Sequence, residues 1–353
     1  MRFLSIKKKA DIRAAAELIR AGGLAAFPTE TVYGLGGDAF NTAALARIFE
    51  AKRRPRFDPL IIHIAAAEDL ELAADLSVLS PRTRQRLDRL RGLWPGPLTL
   101  ILPKRRELPD LATSGLATAA IRFPDHPAAQ MLIRLSTRAV AAPSANLFGR
   151  LSPTRAEHVR DQLGDKVDII LDGGPARVGI ESTVLDLAGE RPRLLRLGGT
   201  PREQIEALIG PVEIAGPVRA GDSGSAGGRD TVPPAGLESP GQLTSHYAPR
   251  TPLSVYRRED IAALDYRPGE GFLFFDGAAR EAWTARNGGG VQNAGTAVMT
   301  LSETGDMIEA AAALFDTLHK LDALGLSRIR AQEAPGGSLG PAINDRLYRA
   351  SVR

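Results

Sequence analysis

The sequence predicts an α/β protein: a mixed sheet under helical cover over roughly residues 1–210, then a second, smaller α/β domain. Three observations carry this. Short apolar runs alternate with amphipathic stretches up to about residue 210. Residues 211–249 then hold 13 Gly or Pro in 39 positions, against 61 in 353 overall, so regular structure should stop there. Strand and helix patterns resume beyond that stretch, and a chain of 353 residues has the length of about two domains.

Apolar runs place strands at 24–27, 60–64, 98–102, 119–123, 139–142, 167–171 and 182–187. Helices are expected at 42–52 behind Asn41 as N-cap, at 81–90, at 127–135, and at 155–163 behind Thr154. The stretch 211–249 reads as a linker. Strands at 253–256, 271–275 and 297–301 follow, with helices near 307–321 and 341–349. There is no internal repeat or heptad run.

Hydrophobic residues at 43% and charged residues at 24% are ordinary for a globular protein and exclude chain-wide disorder. No apolar run approaches the ~18–20 residues of a bilayer span, and MRFLSIKKKAD places cations where a signal peptide needs apolar residues. A cytoplasmic location without a membrane partner is therefore expected. With no cysteine, disulfides, thiol nucleophiles and thiolate metal sites are ruled out. The net charge is only +4 although the pI is 9.5, so any preference for polyanions must come from local clusters. Only seven of the 45 basic residues are lysine, which makes Lys52, inside an arginine-rich run, stand out.

Gly34, Gly36 and Ala39 fit G-x-G-x-x-A, with Asp58 about twenty residues on. The preceding strand ends near Phe27, however, and six residues including Pro28 intervene, too many for the tight turn that fingerprint requires. The segment reads instead as a glycine-rich loop over a site. There is no P-loop and no G-x-S-x-G elbow, and the five histidines (63, 126, 158, 246 and 319) lack H-E-x-x-H spacing. No metal is assigned to protein side chains.

Lys52, Arg53, Arg54 and Arg56 stand at the end of a predicted helix. They would complement its macrodipole, or aim a point charge and guanidinium forks at a polyphosphate. Their place beside a strand end, where open α/β sheets put ligands, favours the second. Ala142-Pro143-Ser144-Ala145-Asn146 follows another strand; it makes an ordinary turn and cap, or offers a hydroxyl and an amide to phosphate or carboxylate oxygens at a helix start. Thr29 and Thr31 after the first strand, and Ser182 and Thr183 behind Glu181, repeat the hydroxyl theme.

Taken together, PTETVYGLG at 28–36, AKRRPRFDPL at 51–60 with His63, AAIRFPDHP at 119–127, APSAN at 142–146, SPT at 152–154, ESTV at 181–184 and HYAP at 246–249 closely resemble the threonylcarbamoyl-AMP synthase family. These are YrdC-type enzymes, here in the long form with an additional C-terminal domain. The resemblance implies a twisted open mixed sheet of YrdC type with a concave basic face over 1–210, a lid in 211–249, and a Rossmann-like domain over 250–353. The implied reaction adds bicarbonate to the amine of L-threonine, and the carbamate then attacks the α-phosphorus of ATP to give threonylcarbamoyl-AMP and pyrophosphate. The product would pass to the transferase machinery that makes N6-threonylcarbamoyladenosine in tRNA.

Carried over by motif, Lys52 and Arg54 (K-x-R) with Ser144 and Asn146 (S-x-N) would act on the nucleotide phosphates and the transition state. ATP would also involve Asp58, Thr118, Ser152, Arg196 and Tyr247, the last reaching back from the linker. L-threonine would meet Thr31, His63, Arg122, the main chain near Ala142, and Ser182, with Arg122 gripping its carboxylate bidentately. Mg2+ would accompany the ATP phosphates, with no protein cage. Four positions depart from the family pattern: Asp58 in place of Asn, Phe148 in place of a small hydroxyl residue, Ala120 in place of a larger aliphatic, and Leu197 in place of Pro. Asp58 would repel a triphosphate unless Mg2+ or Arg56 intervenes. Two other readings compete. A double-stranded RNA-binding module would set Arg53, Arg54 and Arg56 on phosphates without turnover, and weak RNA binding is compatible with the synthase as well. A carbamoyl transferase of the hydrogenase-maturation type would bring zinc-finger and acylphosphatase segments that this sequence lacks.

Overall fold

Eleven strands make the larger sheet of the computed structural model, which describes residues 1–216, 237–239, 241–288 and 297–352. They are β1 (Arg2–Ser5), β2 (Ala25–Phe27), β3 (Gly34–Asp38), β4 (Ile61–Ile64), β5 (Leu98–Pro103), β6 (Thr118–Arg122), β7 (Ala139–Ala141), β8 (Ile169–Asp172), β9 (Thr183–Asp186), β10 (Arg193–Arg196) and β11 (Glu213–Ile214). Their spatial order is β1-β8-β2-β3-β7-β4-β6-β5-β9-β10-β11. The sheet contains parallel pairs, such as β4 with β6, and antiparallel ones, such as β5 with β6, so it is mixed. Its helices are α1 (Lys9–Arg20), α2 (Thr42–Lys52), α3 (Pro81–Leu90), α4 (Asp110–Thr113), α5 (Pro127–Leu135), α6 (Ala156–Leu163) and α7 (Arg202–Ile209).

The smaller unit alternates β12 (Leu253–Tyr256), α8 (Arg258–Ala262), β13 (Glu270–Asp276), α9 (Gly277–Asn287), β14 (Ala297–Ser302), α10 (Met307–Asp322), β15 (Arg328–Gln332) and α11 (Gly340–Ser351). Its four strands, in the order β12-β15-β13-β14, are all parallel. Parallel strands carry helices on their faces, and β13 is accordingly buried along its whole length. Among the described residues no helix is long and apolar enough to cross a membrane.

Local chemistry explains several boundaries. Asn41 caps α2 as its sequence position predicts, its side chain accepting from the N–H groups of Ala43 and Ala44. The N-cap of α6 falls on Arg155 with no side-chain bond, one residue after the expected Thr154; Thr154 instead gives its backbone N–H to His158 Nδ1 at 3.3 Å. The glycine-rich segment from Gly34 is a strand, β3, and not the expected loop. It pairs antiparallel with both β2 and β7, and a Cβ on Gly36 would stand 2.7 Å from Phe27 Cε1 and 2.9 Å from Val140 Cγ1. These glycines therefore let neighbouring side chains close over a central strand. Of the linker 211–249, residues 217–236 and 240 lie outside the described residues.

The two units share packing. Val32, Leu151, Ile180 and Tyr247 form one apolar cluster with Leu314, Phe315, Ile343 and Leu347 of α10 and α11. Arg155 at the N-cap of α6 pairs with Asp316 on α10 at 2.6 Å, and His158 stacks on His319 with ring centroids 3.8 Å apart. Gly179 makes the closest approach: with φ +76, a Cβ there would lie 2.4 Å from Ala312 Cα on α10. Gly174 has nearly the same φ, +75, with nothing within 4 Å. Gly174→Ala should therefore cost only the left-handed strain, about 1–2 kcal/mol, and Gly179→Ala about 1–3 kcal/mol more from overpacking. Urea unfolding of the two variants checks this; equal losses would mean that α10 does not press on the first unit there.

Candidate active site

Strand ends and the loops leaving them enclose one cavity. The β2–β3 connection supplies Thr31, the end of α2 supplies Lys52 and Arg54, β4 supplies His63, and β6 ends in Arg122. The loop after β7 adds Ala142, Ser144, Asn146 and Phe148; Glu181, Ser182 and Arg196 come from around β9 and β10. Gly241, His246 and Tyr247, from the segment leading into the smaller unit, close it. It holds about 610 Å³ of space, part of it open to solvent.

Lys52 is 1% exposed, and its Nζ donates to the carbonyls of Ser144 at 2.5 Å and Asn146 at 2.6 Å. The backbone returns the contact, Phe148 N–H donating to Lys52 O at 2.9 Å. The A-P-S-A-N loop is thus wrapped on the lysine, and the third ammonium N–H is left for a ligand. Burial, then the neighbouring Arg54, push the Lys52 ammonium well below its usual range, with Asp58 opposing. Arg54 is held from behind, Nε donating to Asp58 O at 3.0 Å and Nη2 to Pro59 O at 2.7 Å, with Asp58 Oδ1 2.8 Å from Nη2. Asp58 thus neutralises Arg54 and does not line the cavity, and it needs neither Mg2+ nor Arg56, which is exposed.

Asn146 differs from the expectation of an amide donor at a helix start. Its Nδ2 donates to the carbonyls of Leu147 and Arg150, both at 2.9 Å, leaving a buried, unpartnered Oδ1. α6 begins only at Ala156, so no helix N-terminus points into this loop. Ser144 keeps its hydroxyl without a partner among the described residues. Ala142 N–H is given to Ile61 O at 2.9 Å, so the main chain there offers substrate a carbonyl and no donor.

Arg122 is 4% exposed and already engaged by Glu30 (2.6 Å), Thr31 Oγ1 (2.8 Å) and Gly96 O (3.3 Å). A substrate carboxylate can take only the N–H groups these leave, which narrows the unobstructed bidentate grip the sequence suggests. His63 sits beside it with Nδ1 3.3 Å from Ile61 O, which assigns the proton to Nδ1 and leaves Nε2 as an acceptor. Burial, then Arg122, push His63 down to about 3, so it is neutral at physiological pH. Ser182 Oγ shares a hydrogen bond with Thr99 and accepts from Arg196 Nη2 at 3.1 Å.

Tyr247 is left-handed at φ 62 and 1% exposed, its ring 4.1 Å from that of His246, which in turn meets Phe148 edge-on at 5.7 Å. Among the described residues the Tyr247 hydroxyl, His246 Nδ1 and Asn146 Oδ1 are all buried without partners, as suits a cavity built for a polar ligand. Of the sequence-predicted residues, Lys52, Arg54, Ser144, Asn146, Arg196, Tyr247, Thr31, His63, Arg122, Ala142 and Ser182 line the cavity, whereas Asp58, Thr118 and Ser152 do not. Ser152 donates to Glu181 behind the wall. Thr118 begins β6 four residues before Arg122, about 13 Å away along the strand. Sequence reasoning missed Glu30 and Arg346; Glu30 was visible inside its motif, but nothing in the pattern around Arg346 signalled a site.

A family model described as "Telomere recombination" (Sua5_yciO_yrdC) matches residues 17–198. A second, "Threonylcarbamoyl-AMP synthase, C-terminal domain", matches 200–352. Threonylcarbamoyl-AMP synthase of Bacillus subtilis (strain 168) is 42% identical over 346 residues, 97% of this chain and 93% of the relative. The chain belongs to the threonylcarbamoyl-AMP synthase family. The synthase of Pyrococcus abyssi is 41% identical over 350 residues, covering 96% of this chain and 94% of its own. A crystal structure of P. abyssi Sua5 complexed with L-threonine superposes with TM-score 0.81 at 37% identity, covering 99% of this chain and 97% of that one. The YrdC-type sheet with an appended parallel-sheet domain is thus the fold of this family.

The neutral His63 has a consequence for stability. Its folded value of about 3 lies below the ordinary imidazole value of 6.5, so between them the unfolded chain binds more protons. Stability is therefore lost as pH falls from 6.5 towards 3, by up to about 1.4 kcal/mol per pH unit. His63→Gln should show a shallower loss by about that slope in urea unfolding; an unchanged slope would contradict the assignment.

Proposed function

We propose that this protein is an L-threonylcarbamoyladenylate synthase, joining L-threonine, bicarbonate and the adenylyl group of ATP with release of pyrophosphate, its product serving N6-threonylcarbamoylation of tRNA adenosine by a downstream transferase. One observation carries the reading: Lys52, Arg54, Arg122 and Arg196 converge on one cavity whose single lining carboxylate among the described residues, Glu181, is itself paired. The L-threonine complex of the P. abyssi relative supports the amino-acid half.

The threonine amine adds to bicarbonate with loss of water, and a carbamate oxygen attacks the α-phosphorus as the bond to the leaving pyrophosphate breaks. Both partners are anions, so fixed cations in a water-poor site are the main catalytic device. Lys52, Arg54 and Arg196 meet the phosphates, and the Ser144 hydroxyl donates to one of their oxygens. Arg122 takes the threonine carboxylate with the donors left to it, while Thr31, Ser182, the Ala142 carbonyl and neutral His63 receive the amine and hydroxyl. Asn146 shapes the loop that holds Lys52. Closing over this site, Tyr247 excludes water from a labile mixed anhydride. Mg2+ enters as part of the nucleotide substrate: the one lining carboxylate is occupied, and the described residues hold no group of three or more acidic or histidine side chains suited to a metal. The RNA-binding reading is disfavoured because Arg54, at 8% exposed, faces the cavity and is out of reach of a duplex backbone.

Pyrophosphate release should require L-threonine and bicarbonate together, with threonylcarbamoyl-AMP seen by mass spectrometry; release independent of either, or none, defeats the proposal. Lys52→Ala should lower turnover on the order of a hundredfold or more, by analogy with a lost oxyanion donor. Near-normal turnover would remove Lys52 from the chemistry.

A further inference from the structure

The last helix reaches the cavity wall from outside the first sheet. Arg346 on α11 is 0% exposed; its Nε donates to Glu181 Oε2 at 2.8 Å and its Nη1 to Asp345 Oδ2 at 2.8 Å. Its guanidinium carbon stands 5.1 Å from the centroid of the Tyr247 ring. One turn on, Arg349 donates Nη1 to the carbonyls of Gly241 at 2.7 Å and Leu243 at 2.6 Å, and its own carbonyl accepts from His246 N–H at 3.3 Å. Thus α11 touches both the acidic wall residue and the segment that closes the cavity.

Glu181 is out of place in a pocket for anions. The other oxygen of this carboxylate accepts from Ser152, and its nearest charge partner is Arg346. Burial alone would raise its carboxyl, but Arg346, then Arg196 and Ser152, hold it below its usual range, so it stays ionised and needs a standing counter-charge. That counter-charge comes from the C-terminal unit. A guanidinium is suited to the task, because its Nε–H binds the carboxylate while its central carbon stands over the aromatic ring.

We infer that Arg346 is a positioning residue of the reaction: it neutralises Glu181 at the cavity wall and seats Tyr247 over the nucleotide site, so that the first sheet binds its anionic substrate tightly only with α11 docked. The inference rests on the proposed function for the identity of the nucleotide, and its physical content is the effect of one buried charge on anion affinity. A residue that only fastened the two units together would lower thermal stability and the active fraction, leaving KM values unchanged.

The test uses the full chain carrying Arg346→Met, which keeps the packed stem, Glu181→Gln, and the double variant, with pyrophosphate release measured against ATP and L-threonine. Arg346→Met should raise KM for ATP at least fivefold with a smaller change in kcat, and adding Glu181→Gln should recover most of that rise by removing the charge that needed pairing. A rise below fivefold, or no recovery in the double variant, overturns the inference. Should Arg346→Met lose its cooperative unfolding transition, Arg346→Lys, which keeps one charge without the fork or the plane, is judged by the same threshold. Calorimetric ATP affinity reads the same shift without turnover. A wild-type chain that binds ATP but makes no adenylate defeats the proposed function alone, while an unshifted Arg346→Met affinity defeats this inference alone.

Discussion

Burial of positive charge that is fastened in place, with unspent donors facing the cavity, is the constraint from which the rest of this structure follows. Lys52 survives at 1% exposure because two carbonyls of the loop after β7 hold it. Arg54 survives because Asp58 stands behind it, and Arg122 because Glu30 does. Arg54 and Arg122 meet the desolvation cost of a cation with carboxylates that do not line the cavity, and Lys52 meets it with carbonyls of the wall itself. The cavity face is thereby tuned for anions before any arrive.

That tuning explains the architecture around it. The mixed order of the first sheet brings the ends of β4, β6, β7 and β10 to one place, where residues remote in sequence share a wall. Phe148, His246 and Tyr247 cover it with a chain of ring contacts, which shields the charges from bulk water and strengthens their field. The second unit is packed against this cover, its Phe315 ring 5.6 Å from that of Tyr247. Covering and charging the site are consequently tasks divided between the two sheets.

Much of this was legible in the sequence where local chemistry decides. The helix at Thr42–Lys52 is fixed by its Asn41 cap and apolar spacing, and eleven of the expected residues line one cavity. What stayed hidden depends on partners far along the chain. β15 contains Arg328 and Arg330 and does not read as a core strand, yet Arg330 is buried because Glu270 on β13 meets it through both carboxylate oxygens. Gly34 to Asp38 has a loop-like composition and is a central strand only because Phe27 and Val140 fill the space over its glycines. The Asn146 motif names the right residue, but only the fold shows that the amide is spent on Leu147 and Arg150 and faces the cavity with an acceptor. Arg346 carries no local signature at all, since its meaning lies in Glu181, 165 positions away.

The central claim, that the cavity holds positive charge destabilised by burial until an anion arrives, is open to direct measurement. Calorimetric titration of the protein with MgATP at mildly alkaline pH, in buffers of different ionisation enthalpy, counts the protons exchanged on binding. With Lys52 pushed well below its usual range, the nucleotide should drive net proton uptake that disappears in Lys52→Met. Binding with no proton exchange in the wild type, or equal uptake in both proteins, would contradict the account.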